Sequence, residues 1–360
     1  MMKVFLSILA TISLVSCSHD PVARASEDAW SSKQQSIKTV EEISKKPKVP
    51  MIVDGDTVRQ SALSILTQAS DSTNPILRAN AIESLRYAPE DVLEQSVRLG
   101  LGDENRGVRF VAAMMIGEKK LCNLSLLLEP LLLDESKSVQ AAAMFSIYQC
   151  GRSVDINPLA VMLLSSNPEL RGNAVMILGR MGNTSAVKMI RNALKDSPIT
   201  ITPIRRRLIN LQMAEALVLL GEREELEVIR AAVFSSAQES EITALACQII
   251  GRLKDVEIVS TLEGIAGSSQ RFSDEIRLIA ATALAEIDPS RIALEPVLQL
   301  TKSDSANIRS QCAIALGTSE NQLMLGPLTQ MLDDHDPKVQ ISAAGAVLRI
   351  DNSGSMAIVD

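Results

Sequence analysis

One short pattern recurs along most of this chain and decides what it can fold into. The segments VRFVAAMMIG (108–117), LRGNAVMILG (170–179), IRSQCAIALG (308–317) and VQISAAGAVL (339–348) share one order of apolar, small and polar residues. With the second residue as anchor, copies fall at Arg78, Arg109, Gln140, Arg171, Met213, Thr243, Arg277, Arg309 and Gln340, at intervals of 31, 31, 31, 42, 30, 34, 32 and 31 residues. A unit of that length cannot bury an apolar face by itself, so neighbouring units must stack and share a core.

The pattern inside each unit is helical. Four residues before the anchor stand Asn74, Asn105, Ser136, Asn167, Ser273, Ser305 and Asp336, side chains that accept a hydrogen bond from the free N–H groups of a helix start. Proline follows at once at Pro75, Pro168 and Pro337, where its missing N–H costs nothing. Positions one before, three after and seven after the anchor share a face: Leu77, Ala81 and Leu85 in one unit, Val108, Ala112 and Ile116 in the next. Gly117, Gly179, Gly221, Gly251 and Gly317 stand eight after the anchor, marking close approach or helix termination. A second apolar helix, such as Leu124 to Leu133 or Ile258 to Ala266, completes each pair. Composition agrees: residues are 46% hydrophobic but only 2% aromatic, which suits a core of small aliphatic side chains between closely packed helices.

This arrangement resembles HEAT-type repeats, especially the short variety of phycobilisome lyase-like proteins, over about residues 58–350. LDDHDPKVQISAAGAVLRI (332–350) and NPELRGNAVMILGRMGN (167–183) carry the resemblance most clearly. It implies an all-α fold, a right-handed α-solenoid or superhelix of about nine helix-turn-helix repeats whose second helices line the concave surface. The same architecture serves scaffolds, chaperones, lyases and nucleic-acid binders, so the function must be sought in particular residues.

The N-terminus carries a different signal. Met1-Met2-Lys3 is a small basic start, Val4 to Val15 is apolar but too short to span a bilayer, and small residues precede Cys17. Leu14-Val15-Ser16-Cys17 resembles the bacterial lipobox, which implies cleavage after Ser16 and acyl chains on Cys17; an ordinary secretory signal with an incidental cysteine is the alternative. The expected layout is a signal peptide over 1–16, a lipidated tether over 17–50, a repeat body over 51–350 and a C-terminal tail over 351–360. Ser18, where aspartate would favour inner-membrane retention, tilts the expectation towards a periplasm-facing protein of the outer membrane. Trp30 reads as an ordinary tether residue.

Catalytic chemistry is not advertised. His19 and His335 are too few and too far apart for a metal cluster, and neither Cys122, Cys150, Cys247 nor Cys312 belongs to a CxxC. No cofactor and no enzyme activity are expected. Cys312 stands where other units have alanine and reads as core, whereas Cys122 and Cys150 lie in adjoining units and in an exported protein have the option of pairing. A net charge of −7 argues against nucleic acid. The insertion over 195–210 holds Arg205, Arg206 and Arg207, either a weak basic patch or a locally paired helix start.

One departure from the pattern suggests a site. Positions one and five after the anchor should leave the packed face, yet they include Phe110, Met114, Phe145, Met176 and Val218, with Tyr148 nearby. A Met- and Phe-rich stripe on the concave face is the kind of surface that holds a protein or peptide partner. The alternative is that these residues are buried between units. The sequence therefore reads as a membrane-anchored, non-enzymatic scaffold or adaptor binding through its concave face. The second reading is a lyase-like or cofactor-loading role, implied by the resemblance.

Overall fold

The computed structural model describes residues 55–195 and 201–356. Cys17, the leader, the tether and residues 196–200 of the insertion lie outside the described residues. In chain order the helices are α1 Gly55–Ser70, α2 Pro75–Ser84, α3 Glu90–Leu101, α4 Arg106–Lys119, α5 Lys137–Gln149, α6 Asn157–Leu163, α7 Pro168–Met181, α8 Ala186–Lys195 and α9 Pro203–Leu219. They continue as α10 Leu226–Ala232, α11 Ser240–Leu253, α12 Val259–Gly267, α13 Asp274–Ile287, α14 Leu294–Leu300, α15 Ala306–Thr318, α16 Leu325–Leu332 and α17 Pro337–Met356. The described residues contain no strand. The expected tail is thus helical as far as Met356.

Local chemistry sets the helix starts as the sequence predicts. Asn74, Asn105, Asn167, Ser273 and Ser305 each accept from a backbone N–H in the first turn of α2, α4, α7, α13 and α15, and Asp336 accepts from Lys338 N–H at 2.8 Å. Ser136 is the exception. Its side chain caps nothing, and its own N–H donates to Asp134 at 2.8 Å.

Helix ends correct the expected register. Left-handed residues terminate the second helices at Lys120, Gly151, Gly182, Gly221, Lys254 and Glu320. All but Gly221 stand eleven residues after an expected anchor, so unit 5 is anchored at Asn210, three residues before Met213. Gly221, with φ of 104°, is therefore a terminator and not one of the close-approach glycines. Helical faces recur every three or four residues, so a slip of three preserves the apolar stripe and hides the error. The insertion appears as an added turn at the start of α9.

Outer helices differ from expectation in one unit. The segment predicted as a helix over Leu124 to Leu133 is two 3-10 pieces, Cys122–Leu128 and Pro130–Leu133. Pro130 has no N–H to continue an α-helix. A Cys122–Cys150 disulfide, 28 residues in separation, ties this segment to the end of α5. A cross-link over that length contributes roughly 3–4 kcal/mol in the chain-entropy picture.

Successive second helices α2, α4, α5, α7, α9, α11, α13, α15 and α17 pack against one another, with α1, α3, the 3-10 pieces, α6, α8, α10, α12, α14 and α16 outside them. Glycine sets the inner spacing. A Cβ on Gly117, Gly179, Gly251 or Gly317 would lie 2.7–2.8 Å from the Cα of Ser146, Ala216, Ala283 or Ala346 in the next inner helix. No other residue permits that approach.

Arginine fastens the turns. Arg78, Arg109 and Arg309 each make paired bonds to the aspartate 25 residues on, Asp103, Asp134 and Asp334, at 2.7–3.0 Å. Each also donates to the carbonyl six residues back, and each aspartate accepts the N–H two residues on. Where the anchor is glutamine only the carbonyl bond survives: Gln140 and Gln340 donate to Asp134 O and Asp334 O at 2.6 and 2.7 Å. Position 165, 25 after Gln140, is accordingly serine.

The path of units closes. α17 packs on α1 and α2, and one apolar cluster runs through the junction from Val339, Ala343 and Val347 to Val58, Leu66 and Ile82. Arg59 pairs with Asp351 at 3.3 Å, and Arg349 lies over the Tyr87 ring at 5.8 Å. The expected superhelix is therefore a solenoid whose ends cap each other, which removes the exposed apolar end faces of an open array.

Three substitutions test these contacts. Arg309→Gln keeps the carbonyl bond and loses the ion pair, so urea unfolding at neutral pH should show a loss of about 1–3 kcal/mol. The hydrogen bond from Arg309 holds the Asp334 carboxyl below its ordinary value, so this stability is present above the unfolded carboxylate pKa and fades as pH falls through the folded one. The gap between wild type and variant should accordingly shrink below about pH 4. At the junction, a Cβ on Gly345 would lie 3.0 Å from that of Ser84, so Gly345→Val should cost about 1–3 kcal/mol by overpacking. Gly326→Ala, with open space around it, should be neutral or stabilising in the same urea unfolding.

Candidate functional site

The inner face does not carry the expected stripe. Phe110 and Phe145 are each 3% exposed and Met114 is fully buried, while Tyr148, Met176 and Val218 are half-buried. Inner-helix spacing explains this. The slot left by Gly117 receives the Phe145 ring edge and Ser146, whose hydroxyl donates to Ala113 O at 2.6 Å. Tyr148 and Met176 pack on the larger apolar cluster, and Val218 on a second one around α9 to α13. Phe110, Met114 and Phe145 are core, and Tyr148, Met176 and Val218 are packed against it, the outcome set against the stripe at the outset.

Apart from Leu219, 46% exposed at the end of α9, what the inner helices present at their C-terminal ends is polar and paired. Glu118 accepts from Arg86 at 2.6 Å and also pairs with Arg180, two units away. Glu215 takes both nitrogens of Arg252 at 2.7 and 2.9 Å. Burial holds the Glu286 carboxyl above its ordinary value against the nearby Arg252 and Arg349. Met176, Arg180, Gln212, Glu215, Ala216, Leu219 and Arg252 surround a depression of ≈ 20 Å³, room for about one water molecule.

Nucleophile and metal chemistry find little support among the described residues. No three His, Cys, Asp or Glu side chains gather to hold a metal. Cys247 and Cys312 are buried, and burial pushes both thiols up to about 12, so they stay protonated and unreactive. His335 is exposed in the last turn, with Nε2 at 3.2 Å from Arg309.

The basic cluster at the start of α9 is locally engaged. Arg207 pairs with Glu239 and reaches the Ser235 hydroxyl at 3.3 Å, and Arg206 donates to Ile201 O at 3.5 Å. Arg205 is half-buried and near Glu241.

The exposed apolar surface lies on the opposite side of the wall. Leu99 on α3, Leu126, Leu127 and Leu133 on the 3-10 pieces, Val161 on α6 and Leu164 just after it all face solvent, Leu133 at 88% and Val161 at 73%. They fall in register. Leu99, exposed Pro130 and Val161 stand at equal spacings of 31 residues, as do Leu133 and Leu164, so units 2, 3 and 4 offer the same spots side by side. The outer elements of three successive units therefore repeat the same exposed aliphatic positions, an apolar band along the outside of the wall. Glu129, the charge in its middle, is engaged by Arg152 at 2.5 Å. The sequence holds this signal in the same 31-residue repeat, ten and seven residues before the anchors and not after them. It was missed because both helices of a unit are apolar, and composition does not say which residues turn outward.

No helix among the described residues is long and apolar enough to cross a membrane. A family model of HEAT repeats matches residues 265–349. No curated protein matches the sequence. Among solved structures, the complex of CpcE and CpcF of phycocyanin lyase from Nostoc sp. PCC7120 is similar at 16% identity, over 70% of this chain and 93% of that one, with a TM-score of 0.39. Human deoxyhypusine hydroxylase in complex with glycerol is similar at 16% identity over 74% and 98%, with a TM-score of 0.36. An engineered protein is similar at 18% identity over 82% and 95%, with a TM-score of 0.34. With the repeat register, the stacked helix pairs and the matched family model together, the chain is an α-solenoid of HEAT-like repeats.

Proposed function

We propose that this protein is a lipid-anchored, non-enzymatic scaffold of the bacterial cell envelope that holds a protein partner on the outer face of units 2 to 4. The observation that carries the reading is the aliphatic band from Leu99 through Leu126 and Leu133 to Val161 and Leu164. Water does not maintain such a band cheaply: each leucine or valine removed from solvent contributes about 1.5–3 kcal/mol, and large exposed apolar patches mark contact surfaces. The binding face thus moves from the concave side to the convex side, because the concave stripe is spent on packing inner helices together. The Cys122–Cys150 disulfide fits an oxidising compartment outside the cytoplasm.

The anchor rests on the order of features from Met1 to Cys17. With more than one acyl chain on Cys17 the membrane attachment is firm, since each buried methylene contributes about 0.8 kcal/mol. The tether then lets the repeat body face the periplasm, from the outer membrane by the Ser18 criterion.

Cys17→Ala should shift the protein from the membrane fraction to the soluble periplasmic fraction; an unchanged membrane pool removes the lipid assignment. For the band, a photo-crosslinking residue at Val161 in living cells should form a discrete protein adduct that the same residue at exposed Lys302 does not form. Adding Leu133→Asp should abolish that adduct while helicity and melting temperature stay within a few degrees of wild type. Adducts that are equal at both positions, or that survive Leu133→Asp, count against the band.

A further inference from the structure

We propose that the Cys122–Cys150 disulfide is a redox-sensitive clamp that assembles this outer binding surface only under oxidising conditions. The proposal rests on the binding reading above, and it concerns the regulation of that site. In unit 3 the outer element is built from 3-10 pieces, and it supplies the centre of the band through Leu126, Leu127 and Leu133. Such a segment is weak by itself. Around Pro130 its backbone bonds are long, 3.3 Å from Glu129 N–H to Leu126 O and 3.2 Å from Leu132 N–H to Glu129 O and from Asp134 N–H to Leu131 O, and Pro130 contributes none.

Leu124, Leu128 and Leu131 seat it in the core, and its polar and covalent grip comes from the turn after α5. Cys150 is bonded to Cys122, and two residues on Arg152 donates to Ser125 O at 3.2 Å and to Glu129 at 2.5 Å. Three contacts from one short turn therefore hold positions 122, 125 and 129 of the outer segment. Arg152 and Glu129 are both substantially exposed, at 38% and 53%, so their pair is screened and adds little. The disulfide is the strong member of the three. Both its cysteines are half-buried, whereas Cys247 and Cys312 are buried in the core.

The step is thiol-disulfide exchange with a dithiol reductant. One reductant thiolate attacks a sulfur of the pair and releases the other cysteine as a thiolate, giving a mixed disulfide. The second reductant thiolate then attacks the reductant sulfur of that mixed disulfide and displaces the protein cysteine, so that Cys122 and Cys150, each taking up a proton, end as thiols and the reductant as a disulfide, two electrons having passed to the protein. In a reducing cytoplasm the segment is unclamped, and its exposed Leu126, Leu127 and Leu133 lose their fixed arrangement while Leu124 and Leu128 stay in the core. After export and oxidation they align with Leu99 and Val161.

Hydrogen exchange followed by mass spectrometry reads the clamp directly. Reducing the folded wild-type protein with dithiothreitol, or substituting Cys122→Ser with Cys150→Ser, should speed exchange of the amides over 122–133 by about tenfold or more while α9 to α15 keep their protection. In cells, the crosslinked adduct from Val161 should fall severalfold in the double serine variant. Unchanged exchange over 122–133 overturns the clamp, and so does faster exchange with an undiminished Val161 adduct. If the clamped wild type gives no adduct at Val161, the binding reading fails instead, and the exchange measurement decides the clamp by itself.

Discussion

The close approach of successive inner helices is the constraint on which the rest of this protein depends. At Gly117, Gly179, Gly251 and Gly317 one helix backbone rests against the next, with serine or alanine opposite. Outer elements have no equivalent crossing and stand further apart. Each unit is therefore a wedge, narrow inside and wide outside, and nine wedges bring the last helix back to the first. Dispersion and apolar burial then act around the whole path, and no unit is left with an unpaired face.

Polar chemistry is arranged to serve that geometry. The arginine-aspartate bonds cross from one unit to the turn of the next, and the aspartate also fixes the turn that starts the following helix. A single carboxylate thus couples stacking to capping. In a wall whose interior is almost wholly aliphatic, such directional bonds fix the register that hydrophobic burial, being non-directional, leaves open. The ion pairs Arg86–Glu118–Arg180 and Glu215–Arg252 do the same at the other ends of the inner helices.

These constraints decide where a partner can bind. Because inner helices are pressed together, large side chains placed on them fill the gaps between units: Phe145 enters the space beside Gly117, and Met114 and Phe110 disappear from the surface. Exposed apolar side chains such as Phe234 and Leu323 occur singly in later units, but they recur at the repeat spacing on the outside of units 2 to 4, where one unit has replaced its helix with 3-10 turns held by a disulfide. Unit 3 is thus the place where the repeat departs furthest from its own pattern. It is also where the aliphatic band is centred.

The sequence by itself determined the number of units, the helix starts and the class of fold, because these follow from local chemistry. Asparagine before a first turn, proline after it and small residues at a fixed spacing act within one unit or against the next, and a 31-residue period displays them repeatedly. It also held the arginine-aspartate spacing of 25, unread until the contacts explained it. Tertiary structure alone decided the register of unit 5, the closure of the path and the exposure of each apolar residue. The first was hidden because helical faces recur within three or four residues, so Met213 and Asn210 serve the apolar pattern equally. Closure depends on the sum of small angles over nine units, which no single unit contains. Exposure depends on what lies opposite: Phe110 and Leu133 are comparable apolar residues in a list, yet one meets a neighbouring helix and the other meets solvent.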